Sequence, residues 1–367
     1  MKFTCERDTL VKEISIAQEV ISSRNALSVL SNVLLIADQE GLLIRATDLK
    51  VSFENKIPVD VQEPGGTTVF CDKLLSILRS LPSGEIVFEE KNDTMHIAPQ
   101  GKKINFKLKS ISAEKYPEIQ LVPDDDYFEF PQKDFLEMVS QTVFAVSDDE
   151  TRFFMNGVFV EPEDGSLVMV ATDGRRLAFV KKDLPSSDIS FEGVIIPPKI
   201  LYMIKKLASG EGPLSIALTD KAVFIKFDNQ KISSSLIEGQ FPNYRRVIPE
   251  EQEHSLTIKK ADLSEALKRV SLLVEQKSRR IYMDLMENGM VLRSEEGEIG
   301  IAREELSCEY TGPEMTVALN YLYLVEPIKV MEEETLQIKF SEPNKAISIY
   351  SIPEKDYFHI VMPMQID

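Results

Sequence analysis

Apolar and polar residues alternate along this chain in two registers. Short stretches of period two, such as Ser215-Ile216-Ala217-Leu218 and Val223-Phe224-Ile225-Lys226-Phe227, are separated by Asp, Asn and Gly and predict antiparallel strands. Between them lie segments with apolar stripes at helical spacing, Leu74, Leu75, Ile77 and Leu78 in one and Leu201, Ile204 and Leu207 in another. Helices are predicted over 7–19, 72–80, 133–145, 199–208, 260–274 and 320–331.

This pattern occurs three times. An apolar strand runs into a charged helix start at Met1-Lys2-Phe3 with Asp8-Thr9-Leu10, at Tyr127-Phe128-Glu129-Phe130 with Asp134-Phe135-Leu136, and at Leu256-Thr257-Ile258 with Asp262-Leu263. Leu10, Phe135 and Leu263 are 125 and 128 residues apart. Ile44-Arg45-Ala46-Thr47-Asp48 and Met169-Val170-Ala171-Thr172-Asp173 repeat at the same 125-residue spacing, as do Tyr116-Pro117 and Phe241-Pro242; the third copy, near Leu292 to Ala302, lacks the Ala-Thr-Asp. A fixed period of this kind marks modular construction. The predicted fold class is α+β, three similar domains of antiparallel sheet with two helices each, spanning 1–124, 125–252 and 253–367. Periodicity alone also fits tandem domains on a flexible string, but the short linkers favour rigid packing.

A length of 367 residues with 43% hydrophobic content suits two or three such cores. Charges interrupt the start MKFTCERDTL where a signal peptide would be apolar, and no apolar run reaches the roughly 18 residues of a membrane span, so a cytoplasmic protein is expected. Cys5, Cys71 and Cys308 are odd in number and far apart, which predicts buried free thiols.

The net charge of −18 argues against a simple DNA-coating protein until it is resolved by position. The six helix windows hold twelve basic and nine acidic residues, a net of +3, leaving −21 for the rest. Such segregation suits helices that face phosphate beneath acidic outer sheets. The candidate phosphate-facing residues are Lys12, Arg24, Lys73, Arg79, Lys199, Lys205, Lys206, Lys268 and Arg269; each taken singly could equally be part of a solvated helix face.

No convergent catalytic set is present in the sequence. His96, His254 and His359 fall in different repeats without ligand spacing and read as surface or satisfied core. Asp124-Asp125-Asp126 reads as a solvated linker, and Asp148-Asp149-Glu150 as a loop after a helix; the rival use of the latter is a divalent ion in a hydrolase. The most distinctive string, Ala171 to Phe179, reads locally as a hairpin in which Asp173-Gly174 supplies a tight turn and two arginines flank a hydrophobic strand.

Several separated motifs agree in order with one family: Met1-Lys2-Phe3-Thr4, Pro64-Gly65 with Thr67-Thr68-Val69, Asn156-Gly157, Ala171-Thr172-Asp173-Gly174, Phe241 to Val247, and Val361-Met362-Pro363-Met364. Through them essentially the whole chain resembles the bacterial DNA polymerase III beta subunit, or sliding clamp, family. The resemblance implies a DNA clamp fold: two three-domain chains joined head to tail in a ring around duplex DNA, with helices lining the hole and no cofactor or metal of their own. Arg152 then joins the DNA-facing residues. A heterologous contact that closes requires the first domain of one chain to complement the third of the other. Plausible participants are Lys102, Lys103 and Phe106 on one side and Leu272, Leu273, Glu298 and Glu304 on the other.

The resemblance also implies a cleft between the second and third domains for short peptides rich in Gln, Leu and Phe. These come from the polymerase III catalytic subunit, the ATP-driven clamp loader, and other polymerases and repair proteins. The matching positions are Arg152, Met155, Thr172, Gly174, Arg175, Arg176, Leu177, Pro242, Arg246, Val247, Asn320, Tyr323, Val361, Met362, Pro363 and Met364. Arg175 stands where the family often has histidine, and the tail ends Gln365-Ile366-Asp367 where well-known members end with a basic residue and leucine. Both departures adjoin the cleft and bear on peptide preference.

Overall fold

The computed structural model describes residues 1–21, 28–118, 126–186, 189–297 and 300–366. Arg24, Glu298, the Asp124 and Asp125 part of the acidic linker, and Asp367 lie outside the described residues.

Among the described residues six α-helices form where the apolar stripes predict them: α1 Arg7–Val20, α2 Cys71–Ser80, α3 Gln132–Thr142, α4 Pro198–Leu207, α5 Lys260–Val270 and α6 Leu322–Val330. The third and fifth end earlier than their windows, passing into 3-10 turns at Val143–Ala145 and Ser271–Leu273. Each helix buries its stripe, for example Leu74, Leu75 and Leu78 of α2 and Ile200, Leu201, Met203 and Ile204 of α4. Cys5, Cys71 and Cys308 are buried free thiols, and burial is the main cause that raises each thiol's pKa, to about 11 at Cys5 and about 12 at Cys71.

Among the described residues the strands form sheets of thirteen, eight and four strands, with every pairing antiparallel. Two sheets are longer than one repeat because main-chain hydrogen bonding continues across repeat boundaries. Gln230–Ser235 of the second third pairs with Val51–Ile57 of the first, with Gln230 opposite Asn55 and Ile232 opposite Phe53. Arg176–Asp183, also of the second third, pairs with Tyr357–Val361 of the last, with Leu177 opposite Ile360. The chain accordingly divides into two compact units: Met1–Gln132 with Glu211–Leu236, and Lys133–Gly210 with Ile237–Asp367. The second third is thus shared between them, a consequence of strand pairing that linear periodicity does not convey.

Candidate functional site

The second unit contains every position of the expected peptide cleft. Its frame is the Ser166–Thr172 and Arg176–Asp183 hairpin, whose second strand is tied on its other side to Tyr357–Val361. The turn is wider than a bare Asp-Gly pair: pairing ends at Thr172 opposite Leu177. Asp173 organises the connection by accepting from the backbone N–H of Arg175 and Arg176 at 2.9 and 3.1 Å. The Thr172 hydroxyl donates to the Arg176 carbonyl at 2.6 Å and accepts from the Gly174 N–H. Gly174 is required for its φ of +87°; a Cβ there would meet only Nη1 of Arg152, the movable end of a long side chain.

Arg176 is the organising side chain, with a residue exposure of only 9%. Its guanidinium donates to Asp173 Oδ2 at 3.1 Å, to the Phe144 carbonyl at 2.5 Å and to Glu326 of α6, and it lies 4.7 Å above the Tyr323 ring. These contacts lock together the hairpin, the end of the helix that begins at Gln132, and α6. A buried guanidinium with paired carboxylates and a carbonyl is a position at which lysine could not substitute.

Beneath the hairpin Val168, Val170, Leu177, Phe179, Ile195, Phe241, Tyr244 and Ile360 form one apolar cluster. Phe241 stacks on Phe159 at 4.8 Å, while the Tyr244 hydroxyl donates to Glu161 at 2.7 Å. This anchorage, reinforced by Arg245 on Glu161 and Glu163, leads the chain to an exposed Arg246 and to Val247, which is 52% exposed. From the other side, the Met362 N–H donates to the Arg175 carbonyl and the Met364 N–H to the Ala318 carbonyl, both at 2.8 Å. Met362 is left 43% exposed beside the buried Val361. Met362 and Val247, both exposed, thus stand on segments anchored to one apolar cluster, with Arg175 and Arg246 exposed on the same segments or their paired strand. Asn320 uses its side-chain oxygen on the Leu322 N–H at the start of α6, and Met155 and Thr172 are buried supports rather than open surface.

The motif reading names Asp173 only as a turn residue and does not name Phe144 or Glu326, yet all three hold Arg176. Glu326 carried one signal, as the one acid in the mostly apolar segment Leu322–Val330.

One local reading is corrected, and the loop reading of Asp148-Asp149-Glu150 gains a detail. His359 is not a satisfied core residue: it is fully buried, neither ring nitrogen has a hydrogen-bond partner among the described residues, and its ring stacks on Phe144 at 5.0 Å. Burial first and the Arg176 charge second push its pKa down to about 3. Asp149 of the acidic triplet is a cap, accepting from the Thr151 N–H, the Thr151 hydroxyl and Nε of Arg152, an arrangement that holds its pKa below the usual range.

Of the basic candidates, Lys12, Lys73, Arg79, Lys205, Lys206 and Lys268 are exposed on their helices, and Lys199 is half-buried. Arg152 pairs with Asp149. Arg269 is engaged differently, forming a two-pronged pair with Glu304 at 2.9 and 2.7 Å that ties α5 to the neighbouring sheet. Leu272 is 80% exposed, and with Leu273 it borders a groove containing Gly297 and Gly300; Lys102 and Lys103 are exposed and Phe106 is half-buried. Among the described residues no helix is long and apolar enough to cross a membrane.

The chain matches three family models in succession: DNA polymerase III beta subunit N-terminal domain over residues 1–120, central domain over 129–243 and C-terminal domain over 245–365. It is 47% identical to the beta sliding clamp of Treponema pallidum and 29% identical to that of Pseudomonas aeruginosa, each over 100% of both chains. Its fold matches the crystal structure of the Bacillus subtilis DNA polymerase sliding clamp at a TM-score of 0.96 with 25% identity. A Pseudomonas aeruginosa sliding clamp bound to griselimycin matches at 0.93 with 29% identity, again with 100% of both chains covered in each comparison. With three successive domain models and full-length relatives in agreement, the chain belongs to the DNA polymerase III beta subunit family, the beta sliding clamps.

Proposed function

We propose that this chain, a non-enzymatic processivity factor by family, closes head to tail with a second copy around duplex DNA and carries partner enzymes on the Arg176-centred cup. The domains implied are 1–124, 125–252 and 253–367. The observation that carries the partner-binding reading is the pairing of exposed apolar anchors, Val247 and Met362, with a frame fixed by the buried Arg176 network. Peptides of the polymerase III catalytic subunit, the clamp loader, other polymerases and repair proteins would insert apolar side chains there and orient their polar ends on Arg152, Arg175 and Arg246. Tethering by such a peptide raises the local concentration of the enzyme at the primer end without any chemistry in the clamp.

Encirclement makes weak, sequence-blind phosphate contacts sufficient. Lys12, Arg24, Lys73, Arg79, Arg152, Lys199, Lys205 and Lys206 would supply them, and the ring would act in the cytoplasm. The closing interface would join Lys102, Lys103 and Phe106 to Leu272, Leu273, Glu298 and Glu304. In that interface Glu304 arrives already paired with Arg269, so the apolar pair Leu272 and Leu273 is the principal source of affinity.

The test is retention on a nicked circular plasmid after loading by a cognate loader with ATP, at salt high enough to screen phosphate contacts. Retention on the circle with release on linearisation is the expected result. Equal retention on both forms would refute encirclement, and no retention despite an active loader would favour a peptide-binding scaffold.

A further inference from the structure

Away from the cup, three oxygen-bearing side chains meet in the first unit without enough donors among them. Glu13 of α1 is 4% exposed, and no lysine or arginine among the described residues forms an ion pair with it. Among the described residues its carboxylate takes one hydrogen bond, from Asn55 Nδ2 at 2.7 Å to Oε2. That bond fixes the orientation of the Asn55 amide, because the flipped amide would turn its oxygen towards the carboxylate. Asn55 Oδ1 is consequently left buried with no donor among the described residues. Gln230 stands directly opposite Asn55 across the antiparallel pair, so the two side chains share the face on which α1 lies. Gln230 is 7% exposed, and its Oε1 is likewise buried without a donor among the described residues.

A buried carboxylate needs a counter-charge, and a buried amide oxygen without a partner costs about 1–3 kcal/mol. We propose that Glu13, Asn55 and Gln230 form a site for a monovalent metal cation, potassium or sodium. Three hard oxygen donors suit such an ion, and a single positive charge neutralises the one carboxylate, whereas a divalent ion would leave a net positive charge in the interior. The ion would join α1 to two strands that meet where residues matching the N-terminal domain pair with residues matching the central domain. Its role is to pin that strand pair.

The full-length protein should be crystallised in thallium(I) acetate, with thallium as the potassium probe, and its melting compared in potassium chloride and choline chloride of equal ionic strength, alongside Glu13→Gln. An anomalous peak between the three oxygens is expected. The wild type should melt higher in potassium, its folded population favoured about elevenfold at ten times the dissociation constant, and the difference should vanish in Glu13→Gln. Water alone at the site, a protonated Glu13 bonded to Asn55, or equal melting in the two salts would each overturn the proposal. If Glu13→Gln does not fold, the wild-type thallium peak decides.

Discussion

Between about pH 7 and about pH 5, mild acid should destabilise this protein through His359. His359 is wholly buried with its pKa near 3, against 6.5 for an ordinary histidine, so the unfolded chain takes up a proton that the folded chain refuses. A base whose pKa is depressed by folding contributes its full stability above the unfolded value and loses it as pH falls towards the folded value. From about pH 7 to about pH 5 the loss amounts to about 2 kcal/mol, and this figure barely depends on whether the folded value is 3 or 4. The displaced carboxyl groups Asp38, Glu89, Asp149, Asp284, Glu304 and Glu333 are all held low, so their effects fall below that window. His359→Phe keeps a ring to stack on Phe144 and removes the titration. Urea unfolding followed by circular dichroism across the window should show a pH slope for the wild type that is largely absent in the variant. Equal slopes, or an imidazole resonance for His359 that titrates near 6.5, would refute the reasoning.

Met362→Ala or Val247→Ala should weaken a Gln-, Leu- and Phe-containing clamp-binding peptide by about tenfold or more in fluorescence polarisation, with the fold intact, since each removes an exposed apolar anchor. Arg176→Met should cost about 3 kcal/mol in urea unfolding, because it strands Asp173 and Glu326, and should weaken the same peptide; a loss below about 1 kcal/mol would mean that the network is ornamental. Leu272→Glu should shift the sedimentation of the dimer towards monomer while leaving peptide binding unchanged. The double change Lys205→Ala with Lys206→Ala should lower the salt dependence of DNA association by about two units of log–log slope if both face phosphate.

The sequence by itself determined the elements and their threefold recurrence, because apolar spacing and the turn-forming Asp, Asn and Gly residues act within a few positions of each other. Among the described residues six helices appear where stripes such as Leu201, Ile204 and Leu207 lie, and the motif strings around Thr172, Pro242 and Met362 carried a family resemblance that implied a cleft. Tertiary structure alone decided how the repeats join, since Gln230–Ser235 finds Val51–Ile57 and Arg176–Asp183 finds Tyr357–Val361 through backbone hydrogen bonds that carry little side-chain signature. It also decided which charges are available. Arg176, Arg269 and Lys205 read alike as basic letters, yet the first is buried among Asp173, Glu326 and Phe144, the second is held by Glu304, and the third is exposed. The unsatisfied oxygens of Asn55 and Gln230 arise in the same way, from residues 175 positions apart that meet only when the sheet is complete. Local patterning encodes what a segment becomes; long-range pairing sets the electrostatic surroundings of each side chain, and function depends on those surroundings.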